Sequence, residues 1–76
     1  MKPTVGRIVH YHAYGTPGGE FKPAPRAAVV TDVYDEEGDE IGVCVLNPQG
    51  IFFNRVKHAE NDQPTPGRWN WPPRSP

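Results

Sequence analysis

The sequence contains few of the residues on which small enzymes and small secreted domains depend. Among its 76 residues there is one cysteine, Cys44, and one serine, Ser75. A single cysteine cannot form an internal disulfide, which is the usual covalent support of small secreted domains. A catalytic triad would have to take its serine from position 75, beside the C-terminus. These shortages argue against a disulfide-stabilised domain and against a serine hydrolase.

Long apolar runs are also missing. Hydrophobic residues make up 36% of the chain, and Leu46 is its only leucine. No segment approaches the roughly 20 apolar residues that a membrane-spanning helix needs. The first residues, Met1 to Thr4, are not followed by the apolar core of a secretory signal. We therefore expect a cytoplasmic protein without membrane contact.

The charges are balanced, which limits the class of partner. Eight Lys and Arg residues oppose nine Asp and Glu residues, giving a formal charge of −1. Proteins that neutralise many phosphates have a basic balance, so we do not expect general nucleic-acid binding. Acidic residues cluster at positions 32–40, whereas Arg26, Arg55, Lys57 and Arg68 lie elsewhere. A local anion site is therefore still open.

What the sequence does contain is a series of short β-forming segments. Branched and aromatic residues alternate with clusters of Gly, Pro, Asn and Asp, a pattern typical of strands and turns. The predicted strands cover residues 7–14, 26–34, 41–46 and 51–56. A Gly/Pro-rich connection, residues 15–25, precedes the second strand, and the acidic run 35–40 follows it. Asn47-Pro48-Gln49-Gly50 is a tight-turn sequence, so the last three strands should form antiparallel hairpins.

This pattern predicts an all-β fold, a small SH3-like barrel of four to five short antiparallel strands. The whole chain, residues 1–76, should form one domain, because so short a chain cannot be divided into two cores. Residues 61–76 should form an extended Pro/Trp-rich tail that packs on or beside the barrel. The residues expected to face inward are Val29, Val43, Val45, Ile51 and Phe53, together with Ile8 or Val9.

Trp69 and Trp71 stand two positions apart in this proline-rich tail. In an extended chain two such side chains point the same way, with attachment points about 6.6 Å apart. The pair could cover one end of a thin core, or it could hold a planar ligand between its rings. The sequence leaves both alternatives open.

Metal chemistry has little support in the sequence. His10 and His12 share one face of the first predicted strand, as two zinc ligands would. No CxxC or HxxxH spacing supplies the other ligands, and Cys44 lies in an apolar run where a cysteine is usually an inert buried residue. We therefore predict no metal, no cofactor and no catalytic residues, and the chain is not expected to be an enzyme.

The remaining polar and aromatic residues suit ligand binding. Aromatic rings, guanidinium groups and amides together can hold a flat, hydrogen-bonding, phosphorylated small molecule. The rings expected to stack on it are Tyr11, Phe53, Trp69 and Trp71. Arg26 and Arg68 should bind its phosphate, while His12 and Asn47 should form hydrogen bonds with its polar edges. The same residue types also anchor protein interfaces, so this alternative stays open.

Several blocks of the sequence carry a resemblance. VGRIVHYH, GTPGGEF, PRAAVVT, GVCVLNPQGIFF and PGRWNWPP resemble the blocks of a group of short, mostly uncharacterised proteins encoded by tailed phages and their bacterial hosts. The resemblance covers most of the chain. In that group the third block begins with cysteine where this chain has Pro25, and the ending reads approximately PGTWHWPE. Arg68 and Asn70 stand in the Thr and His places, so no cysteine or histidine chemistry is carried over.

The resemblance implies a function. A phage protein of this size without catalytic groups resembles the small counter-defence proteins that sequester nucleotide-derived immune signals of the host. Such a sponge needs tight binding, no turnover and often a symmetric oligomer. We therefore expect a homo-oligomeric sponge that inhibits antiphage defence in the host cytoplasm. The alternative is a protein–protein interaction module, of phage or host origin, without a small-molecule pocket.

Overall fold

The computed structural model describes residues 2–15, 23–48 and 50–73. It contains the strands β1 (Ile8–His12), β2 (Pro25–Val33), β3 (Glu40–Asn47), β4 (Gly50–Lys57) and β5 (Trp69–Asn70), with one short 3-10 turn at Glu60–Asp62. The strands form a single curled antiparallel sheet, a half-barrel, in the order β4-β3-β2-β1-β5. This confirms the predicted all-β class and is consistent with a small SH3-like barrel. The described part of the chain has no helix with the length and hydropathy of a membrane span.

Strands β1 to β4 lie where the sequence predicts them. Their ends differ from the predicted ends by at most two residues, and both predicted hairpins are present. Strand β5 was not predicted, because a two-residue strand between prolines shows no alternating pattern. Most of the predicted Gly/Pro-rich connection, at residues 16–22, lies outside the described residues, as do the last three residues of the predicted tail.

The register of the sheet aligns side chains in rows across its concave face. One row consists of Val9, Ala28, Val45 and Phe52. The next consists of Val30, Val43 and Asn54. The valines and the alanine of these rows are at most 1% exposed. Burying each of these valine side chains stabilises the fold by about 1.5–3 kcal/mol. These rows therefore form the main core.

The predicted core is correct on β3 and on β1. Val43 and Val45 point into the concave face, and on β1 it is Val9, not Ile8, that is buried. In β3 these valines alternate with Gly42 and other residues of the opposite face, so the strand has the period of two that a half-buried strand requires.

The predicted core is wrong on β2 and β4. Val29 lies on the opposite face of the sheet, which we call the outer face, and its neighbour Val30 is buried instead. Ile51 and Phe53 are also on the outer face, 59% and 71% exposed, while Val56 points inward. Both strands contain runs of consecutive apolar residues, so the sequence does not show which alternate set is buried.

Strand β5 closes the open side of the half-barrel. It pairs with β1, where Trp69 lies opposite Tyr11, and it bridges to the segment after β4 through His58. The Ala59 backbone N–H donates a hydrogen bond of 2.8 Å to the Trp69 carbonyl. The Trp69 indole N–H donates to the Asp39 carbonyl at 2.8 Å, and the residue is 1% exposed. Trp69 therefore covers one end of the core and does not hold a ligand between exposed rings.

Candidate ligand-binding cleft

The concave face changes from apolar to polar at one end. Tyr11 and Arg26 lie opposite each other on β1 and β2. Arg26 and Asn47 each lie two residues beyond the paired core residues Ala28 and Val45. Because residues two apart in a strand share a face, Tyr11, Arg26 and Asn47 all belong to the concave side. The end of the core is therefore bordered by a phenol, a guanidinium and an amide.

A cleft of about 450 Å³ opens at this end of the sheet. It lies between the end of β1, the start of β2 and the β3–β4 hairpin. Its lining includes Tyr11, Tyr14, Arg26, Asn47, Ile51 and Phe52. The volume falls within the range of about 300–1,000 Å³ that is usual for small-molecule sites. The cleft is therefore large enough for a ligand of nucleotide size.

Two aromatic rings give the cleft a fixed apolar wall. Tyr11 is 5% exposed, and its ring meets Phe52 edge to face, with centroids 5.7 Å apart and an interplanar angle of 82°. Such edge contacts hold both rings in place beyond the effect of burial alone. A flat ligand entering the cleft would meet a preformed aromatic surface.

The environment of Tyr11 keeps its hydroxyl protonated. Burial raises the pKa of Tyr11 above its ordinary value of 10.0, and the nearby Tyr14 raises it further, whereas a hydrogen bond with the Asn54 side chain lowers it. The phenol is therefore neutral at physiological pH. Its hydroxyl is engaged by Asn54, which lies outside the cleft lining, so Tyr11 contributes its ring to the cleft wall.

The Arg26 side chain is the main electrostatic feature of the cleft. It is half-buried, and its Nε has no hydrogen-bond partner among the described residues. Buried N–H groups are nearly always paired in folded proteins, so an unpaired one needs an explanation. The guanidinium is permanently charged and presents a planar fork of donors that matches phosphate and carboxylate oxygens. An anionic group in the cleft would pair with it.

Three of the other predicted ligand-binding residues lie outside the cleft lining. His12 follows Tyr11 in β1 and so belongs to the outer face, where its Nδ1 is buried without a partner in the described part of the chain. Phe53 is on the outer face of β4. Arg68 is exposed in the turn before β5, where its backbone N–H donates to the Thr65 carbonyl at 3.0 Å.

The two tryptophans do not form a parallel clamp. Their ring centroids are 5.4 Å apart, but the planes are inclined by 85°, so the rings meet edge to face. His58 packs on Trp69 with centroids 4.4 Å apart, and the Arg7 guanidinium lies 5.8 Å from the Trp71 ring. Rings in contact at this angle leave no space for a planar ligand. Trp71, which is half-buried, packs against the core beside Trp69.

Other cleft residues were not among the predicted ligand-binding set. Phe52 shares the concave face with the buried Val56, because both belong to the same alternate set of β4. The unbroken apolar run at residues 51–53 does not show which set faces inward. Tyr14 follows β1, and its hydroxyl packs against Gly67, which has a φ of +82°. The sequence feature that could have identified Phe52 is the turn from Asn47 to Gly50. This turn fixes the β3–β4 register, and the register determines which side chains of β4 face the cleft.

Cys44 is not part of the cleft. It is half-buried on the outer face between Val29 and Phe53, and so is less enclosed than the sequence indicates.

In residues 2–15, 23–48 and 50–73, no group of three or more His, Cys, Asp and Glu side chains is placed to hold a metal ion. No family model, curated protein or solved structure matches this chain, so its function has to be argued from the chemistry of the cleft.

Proposed function

We propose that this chain is a non-enzymatic binding protein that holds a small planar anion of nucleotide type in the cleft. The observation that carries the proposal is the meeting of Tyr11, Arg26 and Asn47 at a cleft of about 450 Å³, with the Arg26 Nε unpaired among the described residues. Guanidinium forks bind phosphate, aromatic rings pack against bases, and amides pair with base edges.

The proposed activity does not include turnover. The described lining of the cleft contains no carboxylate, histidine, cysteine, serine or lysine. These are the usual groups for acid–base and nucleophilic catalysis. The raised pKa of Tyr11 makes its phenol a weak acid at neutral pH. Binding without chemical change is therefore the function that these residues serve best.

We further propose that binding is itself the biological activity. In keeping with the resemblance to short phage proteins, the ligand would be a nucleotide-derived signal of host defence, which the chain sequesters. A sequestering protein must compete with the receptor of the signal, so it needs slow release more than fast capture. A preformed aromatic wall and an Arg26 Nε without a partner among the described residues favour this, because little has to be ordered or rearranged on binding.

Titration calorimetry of the full chain against linear and cyclic mono- and dinucleotides tests the proposal. We expect at least one of them to bind, and Arg26→Gln to weaken that binding about 10-fold to 100-fold, as the loss of a charged hydrogen bond should. Arg68→Gln is the matched control, because Arg68 is exposed outside the cleft lining. The nucleotide should be recovered unchanged. The absence of binding across the panel, or equal losses in both variants, would contradict the proposal.

A second candidate function is supported by the outer face. The sheet register aligns Ile8, Val29, Cys44 and Phe53 in one apolar row, whose end residues are 49% and 71% exposed. Exposed apolar surface of this kind is typical of protein interaction sites. For an interaction module, the nucleotide panel would give no binding heat. Substitution of Phe53, not of Arg26, would then abolish partner binding.

A further inference from the structure

The first half of β4 is an apolar sheet edge. Among the described residues, strand β4 is at one end of the strand order and pairs with β3 alone. Ile51 and Phe53 are the most exposed large apolar residues of this strand. Natural proteins usually protect an edge with charges, proline or a bulge, because an open edge pairs with other strands. Residues 50–53 contain neither charge nor proline.

The hairpin geometry shows which main-chain groups point to this edge. Asn47 and Gly50 are the closing pair of the β3–β4 hairpin. In a two-residue hairpin this pair is hydrogen-bonded, and bonded and non-bonded pairs then alternate along the ladder. The N–H and C=O groups of Ile51, Phe53 and Arg55 therefore point away from β3. The Arg55 N–H accordingly donates to the Asn54 side-chain oxygen at 2.9 Å.

We propose that a second copy of this chain pairs with β4 in antiparallel orientation, with the two-fold axis at Phe52. In this register Ile51 of each copy lies opposite Phe53 of the partner subunit. The open main-chain groups of both residues then form four hydrogen bonds across the axis, as the alternation of an antiparallel ladder requires. The contact is isologous, so it closes as a dimer.

Side-chain chemistry favours this register over those with the axis at Phe53 or at Arg55. An axis at Phe53 would place Ile51 opposite an arginine and would require the Arg55 N–H, which Asn54 already occupies. An axis at Arg55 would place two arginines opposite each other, and like charges in that position are destabilising. The Arg55 Nε is already bound to Glu40 at 2.8 Å, so the guanidinium is held away from the apolar segment.

The interface brings the two clefts towards each other. Phe52 lines the cleft and supports Tyr11, and the proposed axis passes through it. Pairing over three apolar residues buries less than the standard interface of about 800 Å² per partner, so we expect a dissociation constant of about 1 µM or weaker. Arg26 takes no part in the pairing. The dimer proposal and the ligand proposal can therefore fail independently.

Sedimentation velocity of the full chain, from about 10 µM to about 1 mM, tests whether this weak dimer forms. We expect a concentration-dependent dimer whose affinity falls at least about 10-fold in Phe53→Lys, since two buried charges would face apolar residues. Ile8→Lys is the matched control, because Ile8 is 49% exposed on the same outer face but on β1. A monomer at every concentration, or an equal loss in Ile8→Lys, would overturn the proposal.

Cysteine cross-linking tests the register. Residues directly opposite in a non-hydrogen-bonded pair have Cβ atoms about 4.5–5.5 Å apart, close enough for a disulfide after small adjustment. In a Cys44→Ala background, Phe52→Cys should form disulfide-linked dimers under mild oxidation, and Asn54→Cys should not. Circular dichroism would check that both variants are folded. Cross-linking at position 54 in place of position 52 would show that the axis lies elsewhere and overturn the proposal.

Discussion

Contacts from several parts of the chain hold Trp69 in place. Tyr11 lies opposite it in the β1–β5 pair, His58 packs on its ring, and the Asp39 carbonyl accepts its N–H. These partners come from three separate parts of the chain. A large ring with a satisfied polar group is well suited to a thin core, because it buries more apolar area than any aliphatic residue. The ring therefore joins the last strand to the rest of the domain.

Gly38 is a second residue with a specific steric role. It is buried in the β2–β3 hairpin with a φ of +74°, and an added Cβ would lie 2.6 Å from Cδ of Pro3. Gly38→Ala would combine backbone strain with a clash against a rigid ring. We expect it to reduce the free energy of unfolding by about 2–4 kcal/mol, more than strain alone costs. Urea denaturation followed by tryptophan fluorescence would measure the change.

Substitutions at two other glycines separate the cost of backbone strain from the cost of the clash with Pro3. Gly6 has a φ of +91° but nothing within 4 Å of an added Cβ, so Gly6→Ala should show the strain alone, about 1 kcal/mol or slightly more. Gly50 has neither a positive φ nor a close neighbour, and Gly50→Ala should change stability by less than about 0.5 kcal/mol. If Gly38→Ala cost no more than Gly6→Ala, the packing of Pro3 on the hairpin would be unimportant.

Residue type alone identified part of the cleft. Tyr11, Arg26 and Asn47 could be selected because a phenol, a guanidinium and an amide can bind a planar anion. Trp69 and Phe53 belong to the same chemical set, yet one is in the core and the other is on the outer face. Their positions depend on strand pairing and on the direction of each side chain. Neither is contained in the residue type.

At the scale of elements, the turn at Glu60–Asp62 holds the tail in place. Asn61 and Asp62 have φ values of 52° and 56°, a left-handed conformation that short polar residues tolerate. The Asp62 Oδ1 accepts hydrogen bonds of 2.9 Å from the Trp71 backbone N–H and from the His58 ring. One carboxylate therefore connects the end of β4 to the segment after β5.

Two Asp62 variants should separate the effect of its acceptor oxygen from the effect of its negative charge. Asp62→Asn keeps a side-chain oxygen and tolerates the positive φ, so we expect a loss of less than about 1 kcal/mol. Asp62→Ala removes the acceptor and also adds backbone strain, which should cost about 2–3 kcal/mol. Chemical denaturation would measure both. Equal costs for the two variants would mean that the charge of Asp62, not its acceptor position, stabilises the tail.

The elements themselves differ in how far the sequence specifies them. Strands β2 to β4 are bounded by strong turn sequences, so their ends and their antiparallel pairing could be predicted. The burial pattern of β4 could not, because Ile51, Phe52 and Phe53 interrupt the alternation of polar and apolar residues. Strand β5 exists because β1 and His58 provide pairing partners. That is a tertiary effect with no local signal.

At the scale of the whole molecule, the two faces of the sheet differ in composition. The concave face carries the core and, at its polar end, the cleft, while the outer face carries an exposed apolar row. The proposed ligand and the proposed second copy share two residues, because Ile51 and Phe52 line the cleft and also lie in the paired segment of β4. With a formal charge of −1, the protein as a whole does not attract small anions. Their binding therefore depends on the local charge of the Arg26 guanidinium.

Alkaline pH should destabilise the fold through Tyr11. Its pKa is raised above the ordinary value of 10.0 in the folded state, chiefly by burial. As the pH passes 10, the unfolded chain loses the Tyr11 proton before the folded chain does, so the free energy of unfolding falls. Denaturation curves between about pH 9 and pH 11 should show a smaller decline in Tyr11→Phe. A decline of equal size in the wild type and in Tyr11→Phe would contradict this prediction.

The last strand should be required for folding of the whole domain. A chain that ends at Arg68 lacks Trp69, which is 1% exposed and caps the core between Tyr11 and His58. Removing a buried tryptophan costs about 3–5 kcal/mol, a large part of the about 5–15 kcal/mol that stabilises a small protein.

We therefore expect the chain ending at Arg68 to give no cooperative thermal transition and a poorly dispersed NMR spectrum. A chain ending at Pro73 keeps every contact described above and is the matched control. If the shorter chain folded cooperatively with an unchanged midpoint, Trp69 would be an accessory to a core that is complete without it. The tail would then be a separate appendage, and the closure of the half-barrel by β5 would contribute nothing to stability.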